Sequence, residues 1–146
     1  MKTRICKKIF YTQLDLFSTL TLMHENFIGV IIEESLESKN VLQKVKILST
    51  KTSPVTQKHQ TPWVERRTLD TVEIPYKDAE NIAQELSISL DPHHAWYADF
   101  KNSTHHYIIF RDKIFYIERT SKAQYDEAKT YGISFGIPEY QVDFHP

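Results

Sequence analysis

The sequence predicts an α+β fold in which an antiparallel sheet carries two helices on one face, in the chain order β-β-β-α-β-β-β-α. Three observations support this class. Short runs of β-branched and aromatic residues alternate with turn residues, which is typical of strands. One segment has apolar residues at helical spacing, and another begins with a helix-capping pattern. The composition, 40% hydrophobic and 25% charged over 146 residues, is that of a globular domain.

The first half of the chain contains three predicted strands. The apolar run Phe27–Ile32 predicts a buried strand, and the alternation around Val45 and Ile47 predicts a second. Residues 68–74 predict a third. Between the second and the third, residues 51–62 contain two prolines and many polar side chains, so we expect a mobile loop there.

Two helices are predicted. Residues 76–90 have their apolar side chains on one helical face, and Asp91-Pro92 ends this helix because the residue before a proline disfavours helical conformation. The second helix is predicted over 121–131. Ser121 and Gln124 form a capping-box pattern at its start, and Gly132 stands where a helix-terminating glycine is expected.

Between the helices, residues 95–101, 105–110 and 113–118 predict a three-stranded antiparallel meander. A three-residue turn at 102–104 would place Lys101 opposite His105 and Asp99 opposite Tyr107. Side-chain alternation then assigns one face to the core and the other to solvent. The predicted core face carries Trp96, Ala98, Phe100, His106, Ile108, Phe110, Phe115 and Ile117, and the opposite face carries Tyr97, Asp99, Lys101, His105, Tyr107, Ile109, Ile114, Tyr116 and Glu118.

The favoured function for this opposite face is a non-enzymatic binding or protein-interaction module. Tyr97, Tyr107 and Tyr116 would form a continuous strip, and tyrosine-rich surfaces bind with a low entropic cost. Trp63 and Arg67 are further candidate binding residues. Trp63 and its basic neighbours could contact nucleic acid, but a surface turn with the tryptophan anchored in the core is the favoured interpretation.

The alternative is a metal-dependent hydrolase or nuclease-like phosphoesterase that uses Asp99, Lys101, His105 and Glu118. Two acids, a lysine and a histidine are sufficient for acid–base or metal chemistry. Asp99-Phe100-Lys101 also fits the D-x-K end of a restriction-type nuclease core. An expected span of roughly 10 Å between Asp99 and Glu118 favours the binding module, and whether the protein is an enzyme stays open.

Seven histidines are many for this length, and four of them are His93, His94, His105 and His106. The predicted hairpin places the first pair roughly 25 Å from the second, so no shared metal site is expected. His106, on the predicted core face, is expected to be a hydrogen-bonded structural histidine.

Charge and cysteine content limit the partners. Because 18 basic residues balance 19 acidic ones, the chain has no general attraction to nucleic acid or to a membrane surface. We therefore expect a protein or small-molecule partner, and the lack of a phosphate-binding loop motif predicts no cofactor. The single cysteine, Cys6, fits a reducing compartment and a cytoplasmic location. Residues 1–26 are interpreted as an N-terminal extension and 27–146 as one domain.

Several segments resemble a family of small uncharacterised bacterial proteins. The matching residues are HAWYADFKN at 94–102, HYIIF at 106–110, YGIS at 131–134 and GIPEYQ at 136–141. Thr61-Pro62-Trp63 belongs to the same pattern, and the resemblance covers residues 27–145. It implies a stand-alone, intracellular, bacterial-type domain and carries over no catalytic role.

Overall fold

The computed structural model describes residues 24–146, which form six strands and two helices. The strands are β1 (Phe27–Ile32), β2 (Lys46–Pro54), β3 (Arg66–Ile74), β4 (Tyr97–Lys101), β5 (His105–Phe110) and β6 (Lys113–Glu118), and the helices are α1 (Ala79–Ser89) and α2 (Lys122–Phe135). This is the predicted α+β class in the predicted chain order. Apart from residues 24–26, the predicted N-terminal extension lies outside the described residues. Within the described residues, neither helix is long and apolar enough to span a bilayer.

One antiparallel sheet contains all six strands in the spatial order β2-β3-β1-β4-β5-β6. It consists of two three-stranded units, β2-β3-β1 and β4-β5-β6, which are joined by the pairing of β1 with β4. Gly29 lies at the centre of this junction, opposite Phe100. The two backbones approach closely there, because a Cβ atom on Gly29 would lie 2.1 Å from the backbone oxygen of Asp99.

The two helices pack on opposite faces of the sheet, so the prediction that both lie on one face is wrong. Helix α1 buries Ile82 against a core that includes Phe100, and we call this side the α1 face. Helix α2 buries Tyr125 against a second core that includes Ile108, on the α2 face. The central strands carry apolar side chains on both faces, as neighbouring Ile108 and Ile109 show, so each face needs a cover.

The register of β4 against β5 differs from the prediction by one residue. Residues 103–104 form a two-residue loop, in which the backbone N–H of Asn102 donates to the carbonyl of His105 at 3.0 Å. Lys101 therefore pairs with His106 rather than with His105. A shift of one residue turns every side chain of β4 to the other face relative to β5. The α2 face thus carries Tyr97, Asp99 and Lys101 together with His106, Ile108 and Phe110.

Helix α2 begins where the sequence predicts and ends later. The Ser121 hydroxyl accepts a hydrogen bond from the backbone N–H of Gln124 at 3.3 Å, which caps the first turn. Gly132 lies inside the helix, where a Cβ atom would come within 2.8 Å of the Val142 side chain. The residue that ends the helix is Gly136, whose φ of +112° favours glycine.

The predicted mobile loop over 51–62 is partly wrong, because β2 continues to Pro54 and residues 51–54 pair with β3. A short turn over Gln57–His59 follows. Arg66 and Arg67 belong to β3 rather than to a surface turn. The sheet is therefore longer here than the proline and polar content of the segment suggests.

Candidate functional site

The residues predicted to form one site are divided between the two faces of the sheet, because β4 is shifted by one residue. The β4 members Tyr97, Asp99 and Lys101 are on the α2 face. The members from β5 and β6 are on the α1 face, and these are His105, Tyr107, Tyr116 and Glu118. The predicted single tyrosine strip and the predicted shared face of the two acids are therefore wrong. The four side chains of the hydrolase alternative do not converge.

Tyr107 and Tyr116 belong to an aromatic stack at the edge of the α1 core. Their ring centroids are 4.5 Å apart, and His105 stacks on Tyr116, also at 4.5 Å. Tyr107 is only 8% exposed. Its burial, reinforced by Tyr116, raises the pKa of Tyr107 to about 12. A buried ring cannot contact a partner, so Tyr107 serves packing, whereas Tyr116 is 46% exposed.

The α2 face contains a cleft of about 320 Å³ between the sheet and the segment that follows α2. Its floor comes from β1, β3 and β4, and residues 137–141 form one wall. Two hydrogen bonds hold this wall. The Tyr97 hydroxyl donates to the carbonyl of Gln141 at 2.9 Å, and the Gln141 side-chain amide donates to the carbonyl of His59 at 3.2 Å. The cleft brings together three predicted site residues, Tyr97, Arg67 and Asp99.

Arg67 extends from β3 into the cleft, and no carboxylate pairs with its guanidinium. Among residues 24–146, none of the ion pairs includes Arg67. Glu34 is close enough to affect it electrostatically, but both Glu34 oxygens bind the backbone N–H and hydroxyl of Thr68, at 2.7 and 2.8 Å. Burial lowers the pKa of Arg67, and the nearby Tyr140, Tyr97 and Glu34 oppose this shift.

Two N–H donors in the residues lining the cleft have no acceptor. The guanidinium carbon of Arg67 lies 5.3 Å from the centre of the Trp96 ring. One terminal nitrogen of Arg67 donates to the Thr61 hydroxyl at 3.4 Å, but its Nε is buried without a partner, and so is Nε1 of Trp96. Buried donors in native proteins are almost always paired. Arg67 is thus a cation with one unpaired donor of its own, and a cation of this kind can donate hydrogen bonds to the oxygens of an anion.

A buried chain of hydrogen bonds fixes Asp99 at the edge of the cleft. Oδ2 of Asp99 lies 2.7 Å from Nε2 of His106, and Nδ1 of His106 lies 3.1 Å from the Tyr125 hydroxyl. Because a carboxylate only accepts hydrogen bonds, Nε2 donates to Asp99, and in the neutral imidazole Nδ1 then accepts from the Tyr125 hydroxyl. His106 is 4% exposed, so the prediction of a hydrogen-bonded structural histidine is confirmed. This histidine also orients a carboxylate of the cleft.

The Tyr97 hydroxyl remains protonated at neutral pH. Its burial, reinforced by the charge of Asp99 and opposed by Arg67, raises the pKa of Tyr97 to about 12. The hydroxyl therefore donates stably to the Gln141 carbonyl and links the floor of the cleft to its wall. Tyr97 is a structural part of the cleft rather than an acid–base group.

Trp63 does not line the cleft, and the prediction that it is anchored in the core is wrong. Its ring is 46% exposed and stacks on His94 with centroids 3.8 Å apart. Nδ1 of His94 lies 2.6 Å from a carboxylate oxygen of Asp91. Burial alone would raise the pKa of Asp91, but the backbone N–H of His93 and the His94 ring outweigh it and lower the pKa. Within the described part of the chain, no group of three or more His, Cys, Asp or Glu side chains could hold a metal ion.

Sequence reasoning missed the residues that close the cleft, namely His59, Tyr140 and Gln141. Residues 59 and 141 are joined only by the fold, so no local pattern connects them. A weak signal existed in the apolar residues after α2. Ile137, Val142 and Phe144 are all buried, and such spacing beyond a helix indicates a segment that packs back onto the domain.

No protein-family model, curated protein or solved structure matches the chain. The resemblance to a family of small bacterial proteins therefore stays a prediction. The chemistry of the cleft, with its unpaired donors, its carboxylate and its shape, is the remaining indication of function.

Proposed function

We propose that the protein is a binding module that holds a small anionic molecule in the cleft, with Arg67 as the anchor. The observation that carries this proposal is the state of the Arg67 guanidinium. It is partly buried, it forms no ion pair within residues 24–146, and its Nε–H has no acceptor. A cation withdrawn from water without a counter-charge is destabilised. A carboxylate or phosphate group of a ligand would supply both the charge and the acceptors that Arg67 lacks.

The remaining lining supports a small molecule as the ligand. A volume of about 320 Å³ lies at the lower end of the range typical of ligand pockets. Val30, Ile32 and Leu69 provide an apolar floor, and Trp96, whose buried indole N–H has no acceptor, also lines the cleft. Mostly apolar walls with a few convergent polar groups are the usual composition of such sites.

This proposal keeps the binding function expected from the sequence and moves it from the tyrosine strip to the cleft. Tyr97 and Arg67 remain part of the binding surface, whereas Tyr107, Tyr116 and Trp63 are outside the lining. A cytoplasmic location and a bacterial-type origin belong to the same proposal. The single cysteine supports the first, and the resemblance of the sequence motifs supports the second.

The two tryptophans provide a direct test on the unmodified protein. A proton–nitrogen correlation spectrum contains two indole N–H signals, since the sequence has two tryptophans, and Trp63→Phe assigns them. The probes are inorganic phosphate, glutarate and benzoate. We expect at least one of them to shift the indole signal of Trp96 and the Nε–H signal of Arg67 saturably, with a smaller effect on Trp63. If no probe moves either signal, the proposal is wrong.

Calorimetric titration of matched variants gives the second test. Arg67→Gln should abolish binding of the active probe, and Arg67→Lys should weaken it roughly tenfold, because a lysine cannot form the two parallel hydrogen bonds of a guanidinium. Arg66→Gln is the control, since it removes the same charge from the exposed neighbouring position. Equal affinity in Arg67→Gln and the control would overturn the role of Arg67.

A further inference from the structure

The cleft contains a carboxylate as well as the unpaired guanidinium. Asp99 lines the same cleft as Arg67, and 36% of its side chain is exposed. Its Oδ2 atom accepts the hydrogen bond from His106. Within residues 24–146, no hydrogen bond engages Oδ1, so this oxygen is an available acceptor at the edge of the cleft.

The orientation of the Asp99 carboxylate is fixed before any ligand binds. His106 is buried, and its second nitrogen is held by the Tyr125 hydroxyl on α2. A side chain held by such a network loses little conformational entropy on binding a partner. The same network uses one carboxylate oxygen and leaves the other without a hydrogen bond in a residue that lines the cleft, as a recognition group requires.

The strand pairing separates the two charged residues. Asp99 pairs with Val30 of β1, and Val30 pairs with Thr71 of β3, so Asp99 and Arg67 are two strands apart. The Arg67 guanidinium reaches the ring of Trp96, three residues before Asp99. Three residues of extended chain correspond to roughly 10 Å. β1 lies between these two strands, and it contributes Val30 and Ile32 to the apolar floor of the cleft.

From this arrangement we propose that the ligand is a zwitterion, with a carboxylate at Arg67 and a primary ammonium at Asp99, joined by an apolar chain that separates the charges by roughly 10 Å. The inference rests on the proposed anion-binding function and adds the second end of the ligand. Opposite charges at the two ends of the cleft also orient the ligand, because the reversed molecule would place like charges together.

A series of ω-amino acids of increasing chain length tests this inference by calorimetry. The probes are γ-aminobutyrate, ε-aminocaproate and ω-aminocaprylate, and the one-ended controls are caproate, caprylate and hexylamine. We expect ε-aminocaproate or ω-aminocaprylate to bind about five- to tenfold more tightly than the acid of equal length, and γ-aminobutyrate to gain nothing because it is too short. The neutral-ended ε-hydroxycaproate separates the effect of the ammonium charge from that of length in the unmodified protein.

Two variants locate the effect. Asp99→Asn retains an oxygen that accepts from His106 but removes the charge, so it should abolish the advantage of the amino acids over the acids of equal length. Glu73→Gln is the matched control, because Glu73 is an acid on the same face outside the cleft.

The outcomes separate the two proposals. If caproate binds and the amino acids bind no better, or if ε-hydroxycaproate equals ε-aminocaproate, the zwitterion is wrong and the anion site stands. If none of these acids binds, the zwitterion is wrong, and if inorganic phosphate, glutarate and benzoate also fail to bind, the proposed function itself fails. An ammonium advantage that persists in Asp99→Asn would also overturn the inference.

Discussion

The Asp99 carboxylate and the His106 imidazole are hydrogen-bonded at 2.7 Å, although the two residues are diagonal rather than direct neighbours across β4 and β5. Asp99 pairs with Ile108, and His106 pairs with Lys101. Diagonal positions in an antiparallel pair are within reach of long side chains. The bond connects the cleft to the Tyr125 hydroxyl on α2, so the packing of α2 determines the position of a cleft carboxylate.

His106→Ala should destabilise the domain by about 2–4 kcal/mol in urea unfolding. It leaves a cavity and removes one hydrogen-bond partner of the buried Tyr125 hydroxyl. His105→Ala, one residue earlier and on the other face, should cost less than about 1 kcal/mol, because it removes a stacking contact with Tyr116 and a local hydrogen bond with the Thr104 hydroxyl. Equal losses in the two variants would mean that the hydrogen-bond chain contributes nothing specific.

Gly29→Ala should destabilise the domain by more than about 3 kcal/mol, or prevent folding. The added methyl group would lie 2.1 Å from the backbone oxygen of Asp99, and a backbone atom cannot move away without separating β1 from β4. Gly136→Ala is the control. Its φ of +112° is strained for alanine, but the methyl group would have 3.4 Å to its nearest neighbour, so we expect about 1–2 kcal/mol. Thermal and urea unfolding measure both, and a tolerated Gly29→Ala would contradict the close approach.

Ionisation of the Tyr97 hydroxyl should make the free energy of unfolding depend on pH in the alkaline range. Since its pKa is raised to about 12, its contribution is complete below the pKa of an unfolded tyrosine and is lost as pH rises toward 12. Unfolding free energy measured between pH 9 and about 12 should therefore fall more steeply in the wild type than in Tyr97→Phe. Absorbance of the phenolate should show one late-ionising group fewer in the variant. Parallel curves for the two proteins would contradict the assignment.

Ser121→Ala should destabilise the domain by about 1 kcal/mol, because the backbone N–H of Gln124 loses its acceptor in the first turn of α2. Ser134→Ala is the matched control within the same helix. Its hydroxyl is exposed and bonds the carbonyl of Tyr131, so its removal should be neutral or slightly stabilising. Urea unfolding compares the two, and a larger loss at Ser134 would show that capping does not explain the effect.

Local sequence patterns predicted the type and the chain order of the strands and helices, but not which side chains share a face at the site. The β5–β6 pairing was predictable because the predicted turn and the observed loop both consist of residues 111 and 112. The faces of β4 were not, since they depend on whether the preceding turn contains two or three residues, and the Asn102 side chain decides this by accepting from the N–H of His105 at 2.8 Å. Because the predicted turn was one residue too long, Asp99 and Phe100 were each assigned to the wrong face of the sheet relative to β5.

The cleft was beyond sequence reasoning for a different reason. Arg67, Asp99 and Gln141 come from three distant segments, and they come together only when β1 pairs with both β3 and β4. The residue type alone indicates that a tyrosine or an arginine could contact a ligand. Whether an arginine lacks a counter-charge is a property of the folded neighbourhood and has no signature in the chain.

The junction between β1 and β4 also affects the rates of folding and unfolding. The β4-β5-β6 meander is built from neighbours in sequence, whereas Ile28 pairs with Lys101 across most of the domain, so the junction is expected to close late in folding. Arg67 and Asp99 stand on opposite sides of it. A ligand that bridges them would bind the native state and hardly at all the transition state. It would therefore slow unfolding while leaving the folding rate almost unchanged, and the lifetime of the native fold would depend on ligand concentration.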